Sequence, residues 1–568
     1  MKSIRILPFA VVSLALSLSA ISAAAGGAAH SEIDQAITAA AGGTLAPRAT
    51  DAEFLRRVSL DFAGKIPTSA EARQFLADKD PDKRAKLIDR LIAAPEFPLR
   101  LEQAVTVMLL ERRAGGKISE GKWREWLRAQ FAASRPWNEI VRDLLALEGD
   151  PTATPAAKFM LNDEKYDTQK VAHDVARLFL GMNLQCAQCH DHPTVKGFAQ
   201  ADFYGIYAFL AQTDMKPNKI TKVMALAEMP TTGKIEFKSV FKPEKEFTAP
   251  RVPGAEDIAI PAFAPGEEYE VKPDKSGVPG VPKFRLQPLL ARDLTSDANR
   301  RFAMNSVNRF WFLLTGRGLV HPLDMMHQDN PPSHPALLDR LTEEFIAHKF
   351  DVRWLLREIA LSETYQRSTR APSGTDLNSV KPESYRVANL KPLSAEQIGA
   401  ATMVATGSWE LLGEAAPVAE EETKTQETKK EKKKKDKAKS RTDEGGKELP
   451  STREDSLAAF VKTFAGQAGE PEVEFTPSMA HSLFLMNDRM VLEWLKPKES
   501  NLTARLAKLS SAAEIADELY LSVLTRTPET DEIAEVENFL KKHEGDRPPA
   551  LGELAWALLA SAEFRLNH

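Results

Sequence analysis

Only two cysteines occur in the 568-residue chain, three apart and followed at once by a histidine: Cys186-Ala-Gln-Cys189-His190. Whatever fold the chain adopts has to present these three side chains together. An isolated pair at this spacing is a disulfide or dithiol, a metal site or an attachment point for c-type haem, and Cys-x-x-Cys-His is the haem pattern. In that chemistry each thiol adds to one vinyl group of the porphyrin, and the adjacent imidazole ligates the iron.

The competing arrangements explain less. A redox dithiol of this spacing typically opens a helix within an α/β domain, whereas the flanking sequence here reads as helical. A zinc or iron site made of Cys186, Cys189, His190 and His192 would place four ligands within seven residues, although such sites usually draw their second pair from far along the chain. A purely structural disulfide leaves His190 without a role. Haem c is therefore the leading expectation, with His190 as proximal ligand. His192 is too close to His190 to reach the opposite face of the same ring. The sixth-ligand candidates are His173, Met182, His334 and His481, with His327, the Met325-Met326 pair and Met479 behind them. A methionine there would raise the potential relative to histidine.

The N-terminus bears on the same question. Lys2 and Arg5 precede an apolar run from Ile6 to Ile21 and then Ser22-Ala23-Ala24-Ala25. This is the order of a secretory signal peptide, expected over residues 1–25. The apolar stretch is short for a membrane span, and no cysteine stands at the cleavage region to carry a lipid. Export to a periplasmic or extracellular compartment suits haem c, which is attached after translocation. Free thiols would be a liability there. No later segment approaches the length of a membrane-spanning apolar run. A net charge of -5 over this length argues against a nucleic-acid binder, which needs a strongly basic face.

The length implies more than one domain, and the expected fold class is mainly α, multi-domain and helical. Residues 31–212 carry apolar residues at helical spacing, including Phe54-Leu55-Val58-Leu60-Phe62 and Trp123-Trp126-Leu127-Phe131. Thr168 to Met182 reads as a helix that delivers the chain to the cysteines, and Phe203 to Leu210 as one that leaves them. Over 213–283 helical periodicity is lost, prolines multiply and short alternating runs such as Lys234-Ile235-Glu236-Phe237 appear, so a small β-rich or irregular insert is expected. Helices return over 284–414, with Gly316-Arg317-Gly318 closing the one from Asn299. Residues 415–455 are rich in lysine and glutamate and cannot bury a core. They are expected to form a disordered charged loop. Residues 456–568 are helical again.

No Gly-x-Ser-x-Gly, phosphate-binding glycine loop or His-Glu-x-x-His is present. Asp61, Asp191, Asp324 and Asp329 read as caps, and Arg56-Arg57 and Arg300-Arg301 as ion-pair formers.

Two sets of motifs carry a family resemblance. Leu55-Arg56-Arg57-Val58-Ser59-Leu60-Asp61 with Gly64 and Pro67-Thr68, and Phe179-Leu180-Gly181 with Leu184 through Pro193, resemble the Planctomycete-type cytochrome-C-like domain. Asn305 through Trp311, Gly316 through Val320, Asp329 through Pro335 and the ending Ala562-Glu563-Phe564 resemble the Planctomycete-specific domain that usually follows it. Relatives often carry a Cys-x-Cys-Glu-Arg run before a late helix, and Gly466 to Ser478 has none. Both families are of unknown function, so the resemblance implies an architecture more than an activity.

The sequence thus leads to an exported c-type cytochrome-like protein that exchanges electrons with a periplasmic or surface partner protein. The alternative is an exported helical scaffold in extracellular polymer processing, whose Cys-x-x-Cys-His-x-His holds a metal or a disulfide. A third arrangement is a haem- or metal-dependent enzyme, an oxidoreductase, with Asp191 and His192 beside the centre.

Overall fold

The computed structural model describes residues 28–113, 118–146, 154–161, 166–217, 224–231, 233–274, 278, 280–413, 449–472 and 479–568. The expected signal peptide, and the charged segment up to residue 448, lie outside the described residues.

Helices dominate, as the periodicity predicts. The first run is α1 (Ala29–Ala40), α2 (Asp51–Ala63), α3 (Ser69–Ala77), α4 (Lys83–Ala93), α5 (Glu96–Leu110), α6 (Glu120–Ala132), α7 (Trp137–Ala146), α8 (Thr168–Leu180) and α9 (Gln200–Leu210). Three antiparallel hairpins follow: β1 (Thr213–Pro217) with β2 (Met224–Glu228), β3 (Ile235–Lys238) with β4 (Lys245–Thr248), and β5 (Tyr269–Val271) with β6 (Val281–Pro282). Each has two strands, so the insert is built of separate ribbons packed on helices. Then come α10 (Gln287–Leu294), α11 (Arg300–Thr315), α12 (Pro335–Ala347), α13 (Val352–Leu361), β7 (Lys391–Pro392), α14 (Ala395–Thr406) and α15 (Ser408–Leu411). The C-terminal run is α16 (Arg453–Phe464), α17 (Met479–Asn487), α18 (Arg489–Trp494), α19 (Leu502–Leu506), α20 (Ala512–Leu524), α21 (Thr530–Lys542), α22 (Arg547–Leu559) and α23 (Ala562–Arg565), closed by β8 (Leu566–Asn567) on β7.

Local signals set the helix ends. Thr68 and Glu71 form a reciprocal capping box at the start of α3, which satisfies two otherwise orphaned amides. Gly316 ends α11 in the left-handed conformation, as the Gly-Arg-Gly run predicts.

The buried apolar residues form two cores. The larger runs from Ile33 to Tyr385, joined by Leu521, and draws helices from both sides of the hairpin insert. The smaller joins α14 to the C-terminal helices. Helix α2 serves both, since Phe54, Val58 and Phe62 enter the larger core while Leu60 enters the smaller. Among the described residues, no helix is long and apolar enough to cross a membrane.

Candidate functional site

The Cys-x-x-Cys-His segment sits in the turn between α8 and α9. Asp167 caps the start of α8 by accepting the Gln169 and Lys170 amides. Gly181 ends it at φ +66°, where a Cβ would lie 2.9 Å from Asn305 Oδ1 and 3.1 Å from the Met326 Cβ. Only glycine admits both that backbone angle and so close a neighbour.

The last carbonyls of α8 would otherwise be orphaned, and α11 supplies their partners. Asn305 Nδ2 donates to Leu178 O at 2.8 Å, Arg309 to Arg177 O at 2.7 Å and Arg301 to Leu180 O at 3.4 Å. Beyond the cap, Met182 bridges Met325, and the Asn183 amide donates to Asp324 O at 2.8 Å. The Asp324 carboxylate joins Arg177 to Arg309. The segment carrying the cysteines is therefore fastened to the second helical region immediately before the motif begins. Asp324 works as an ion-pair partner here, not as the cap its turn position suggests. Likewise Arg301 spends its charge on carbonyls.

Cys186–Gln188 then form a single 3-10 turn, with the Cys189 and His190 amides both donating to Cys186 O. Ala187 points into the core while both thiols are exposed and free. The turn is held from α9. Gln200 Nε2 and the Tyr204 hydroxyl each donate to Gln188 O at 3.2 Å, and Asp191 Oδ1 accepts the Gln200 amide at 2.9 Å. Burial, followed by the neighbouring Cys189, holds the Tyr204 phenol above its usual pKa.

The hairpin insert closes over the same turn. The Val240 amide donates to Cys189 O at 3.0 Å, Phe237 stacks on Tyr204 at 4.8 Å, and the Phe241 ring lies 4.9 Å from the His190 ring. Val240 and Phe241 are themselves 67% and 77% exposed, so an apolar lip stands open beside the thiols. Periodicity gives no means of finding this loop, because it reaches the motif through tertiary packing alone.

The hydrogen bonds fix the state of the nearby imidazoles. His190 Nδ1 lies 2.7 Å from Asp191 O, and a carbonyl only accepts. Nδ1 therefore carries the proton, and Nε2 keeps its lone pair. This is the arrangement of a metal-ligating histidine, whose second nitrogen is anchored to a carbonyl. His192 is opposite in sense. Its Nδ1 accepts the Thr194 and Val195 amides at 3.3 and 3.1 Å, which places the proton of the neutral ring on Nε2. Burial, then the neighbouring His327 and His190, hold its pKa below the usual histidine value. His327 arrives from the segment before α12. Its Nδ1 accepts the Asp329 amide at 3.2 Å, and its ring packs on Phe198, against which His192 also lies edge-on.

The remaining candidates are placed elsewhere. His173 Nε2 pairs with Asn183 Oδ1 at 3.1 Å. Met182 is buried in the bridge to Met325. His334 packs on Tyr385 beside Ser333, and His481 stacks on Phe464 in the region of the smaller core. The side chain of Met479 lies outside the described residues. Among the described residues, no group of three or more histidine, cysteine or carboxylate side chains converges as a metal site.

Cys186, Cys189 and His190 are the residues that would hold a covalently attached haem. Two free, exposed thiols stand one turn apart, an imidazole with an available Nε2 follows, and an exposed apolar lip flanks them.

Fold and site together define a mostly helical protein that displays Cys-x-x-Cys-His on a turn clamped between two helical regions. Residues 32–215 match PSCyt2, described as a protein of unknown function (DUF1549), and residues 285–540 match PSD1, a protein of unknown function (DUF1553). The chain belongs to these two families, carrying a Planctomycete cytochrome-C-like domain followed by a Planctomycete-specific domain. No curated protein and no solved structure matches it.

Proposed function

We propose that the chain is an exported c-type cytochrome-like protein, with haem attached through Cys186 and Cys189 and ligated by His190. Its function would be electron transfer with a periplasmic or surface partner protein. The observation that carries this reading is the state of His190. Its Nδ1 proton is tied to Asp191 O and its Nε2 lone pair is available, directly after two exposed thiols. Haem, when bound, supplies a one-electron iron couple tuned by its axial ligation and burial. The chain's own part is to hold the imidazole in one tautomer, to keep both thiols accessible for attachment, and to fix the turn against α9 and the hairpin insert.

The test is expression of the exported chain with a cytochrome c maturation system, followed by a haem stain and a pyridine haemochrome spectrum. The expected result is one covalent haem per chain, lost or severely reduced in Cys186→Ala and Cys189→Ala. A haem-free product carrying stoichiometric zinc or iron, or a stable Cys186–Cys189 disulfide, would overturn the reading.

A further inference from the structure

We infer that the loop joining β3 to β4, together with the Cys-x-x-Cys-His turn it covers, is the docking surface for a partner protein whose contact face is an apolar centre flanked by carboxylates. This rests on the reading above, which calls for a partner, and gives that partner a surface chemistry.

The insert is where the chain leaves apolar surface uncovered. Val240, Phe241, Phe247, Phe263, Val271 and Val281 make up half of the large apolar side chains that stand exposed among the described residues, although the insert is a small part of the chain. Single exposed apolar residues need no explanation, whereas a group of them marks an interaction site. Val240 and Phe241 are the two most exposed of the set, and both are at the motif. The Val240 amide is bonded to Cys189 O, and the Phe241 ring lies against His190.

The charges around this loop are not arranged for the stability of the hairpin. Lys238 on β3 lies directly opposite Lys245 on β4, and like charges at opposed positions repel. Phe247, two residues beyond Lys245, shares their outward face. Lys245 reaches Glu236 at 2.8 Å and Lys242 reaches Glu246 at 3.8 Å, both exposed pairs of the weakly binding kind. Lys238 has no carboxylate within ion-pair distance among the described residues. Its backbone is nevertheless fixed beside the motif, because Gln200 Nε2 donates to both Lys238 O and Gln188 O at 3.2 Å.

A depression in the loop is lined by Lys238, Ser239, Val240, Phe241, Lys242 and Pro243, two cations and no carboxylate. Glu244 follows outside that lining. The turn after the motif adds Lys196, exposed and likewise without an ion pair among the described residues. Asp191, the acid beside His190, spends one carboxylate oxygen on the Gln200 amide. An apolar centre edged by lysines complements one edged by carboxylates.

The loop is less suited to a lipid surface. A membrane anchor buries its apolar side chains about 5–10 Å into the headgroup boundary, so they have to project clear of the body. This loop is instead laid on the motif through Val240 and Phe241 and tied to α9 through Gln200.

The experiment uses the purified full chain with whatever haem it carries. Two fluorescently labelled peptides share a leucine–phenylalanine centre and differ in their flanks, glutamates in one and lysines in the other. Binding is read by fluorescence anisotropy at low and high salt. The acidic peptide is expected to bind and the basic one not, with an affinity that falls as salt screens the lysines. Lys238→Glu combined with Lys242→Glu should weaken binding by about tenfold or more. Phe241→Ala should weaken it at both salt concentrations, and Lys508→Glu in the C-terminal helical region should leave it unchanged. Equal binding of the two peptides, or binding of neither, overturns the inference. So does pelleting of the chain with phosphatidylglycerol vesicles when the acidic peptide does not bind, which would assign the lysines to a lipid surface. Covalent haem is scored separately by the pyridine haemochrome, so failure of this surface and failure of the haem reading are distinguishable.

Discussion

The Tyr365 hydroxyl donates to Asp61 Oδ2 at 2.8 Å across 304 residues of sequence. Asp61 Oδ1 meanwhile accepts Lys391 Nζ at 2.6 Å and Asn567 Nδ2 at 2.8 Å. One carboxylate in α2 thus gathers the segment after α13, strand β7 and the C-terminal strand β8. Lys391 is completed by the Leu313 and Leu314 carbonyls at the end of α11, where a cation complements the helix dipole. Burial pushes its pKa below the usual lysine value, and Asp61 opposes that shift.

Removing one member of such a buried pair leaves the other charge uncompensated. Asp61→Ala is therefore expected to destabilise the fold by about 3–5 kcal/mol, read as a lower urea midpoint. The double variant Asp61→Ala with Lys391→Met should recover part of that loss. If the single and double variants unfold at the same denaturant concentration, the two residues are not energetically coupled.

Gly181→Ala tests the junction between the motif and the second helical region. The substitution imposes a left-handed angle on a residue with a side chain and drives its Cβ to 2.9 Å from Asn305 Oδ1. The combined cost is expected to exceed about 1 kcal/mol, seen as a fall in melting temperature. Gly42 also has positive φ, but no atom lies within 4 Å of its Cβ position. Gly42→Ala should therefore cost less, and equal losses at both sites would show that the close approach to Asn305 contributes nothing.

Much of this architecture is legible in the sequence because helices report themselves locally. Apolar spacing marks the faces of α2, α6 and α11, Thr68 with Glu71 marks a helix start, and Gly316 marks a helix end. The alternation at Ile235-Glu236-Phe237 likewise marks a strand. The cysteine pair and His190 are visible because their chemistry depends on spacing within five residues. What escapes is everything set by contact between distant segments. Periodicity places Leu60 on a buried face but not in the second core. It reads Arg56 as half of an ion pair, yet the guanidinium donates to the Val523 and Phe564 carbonyls, where burial lowers its pKa to about 10. Nor does any local pattern announce that Phe241 would reach His190 or that His327 would reach Phe198.

His334 gives the fold a pH dependence of definite sign. It is buried, precedes α12 at the positive end of the helix, and its Nε2 has no hydrogen-bond partner among the described residues. Burial holds its pKa below the usual histidine value, so the unfolded chain binds the proton more readily. Stability from this site is present above about pH 6.5, the unfolded value, and is lost as pH falls below it. His334→Gln should flatten the pH dependence of the urea midpoint on the acid side of pH 6.5. An unchanged slope would place the titrating group elsewhere.

The Phe241 ring separates a site effect from a stability effect. It is largely exposed, so little apolar area is lost on truncation, and Phe241→Ala is expected to change stability by no more than about 0.5 kcal/mol. The same ring covers one side of His190 at 4.9 Å, so its removal admits water to that imidazole. In the haem-free protein, His190 should then react faster with diethyl pyrocarbonate, followed site by site by mass spectrometry, while His348, stacked on Trp354 far along the chain, keeps its rate. If haem is attached as proposed, greater exposure would favour the more highly charged ferric state, and the midpoint potential should fall. A variant with unchanged His190 reactivity and an unchanged potential would show that the insert loop contacts the motif without shielding it. A variant that loses several kcal/mol would instead make Phe241 a packing residue, and the lip beside the thiols a structural element.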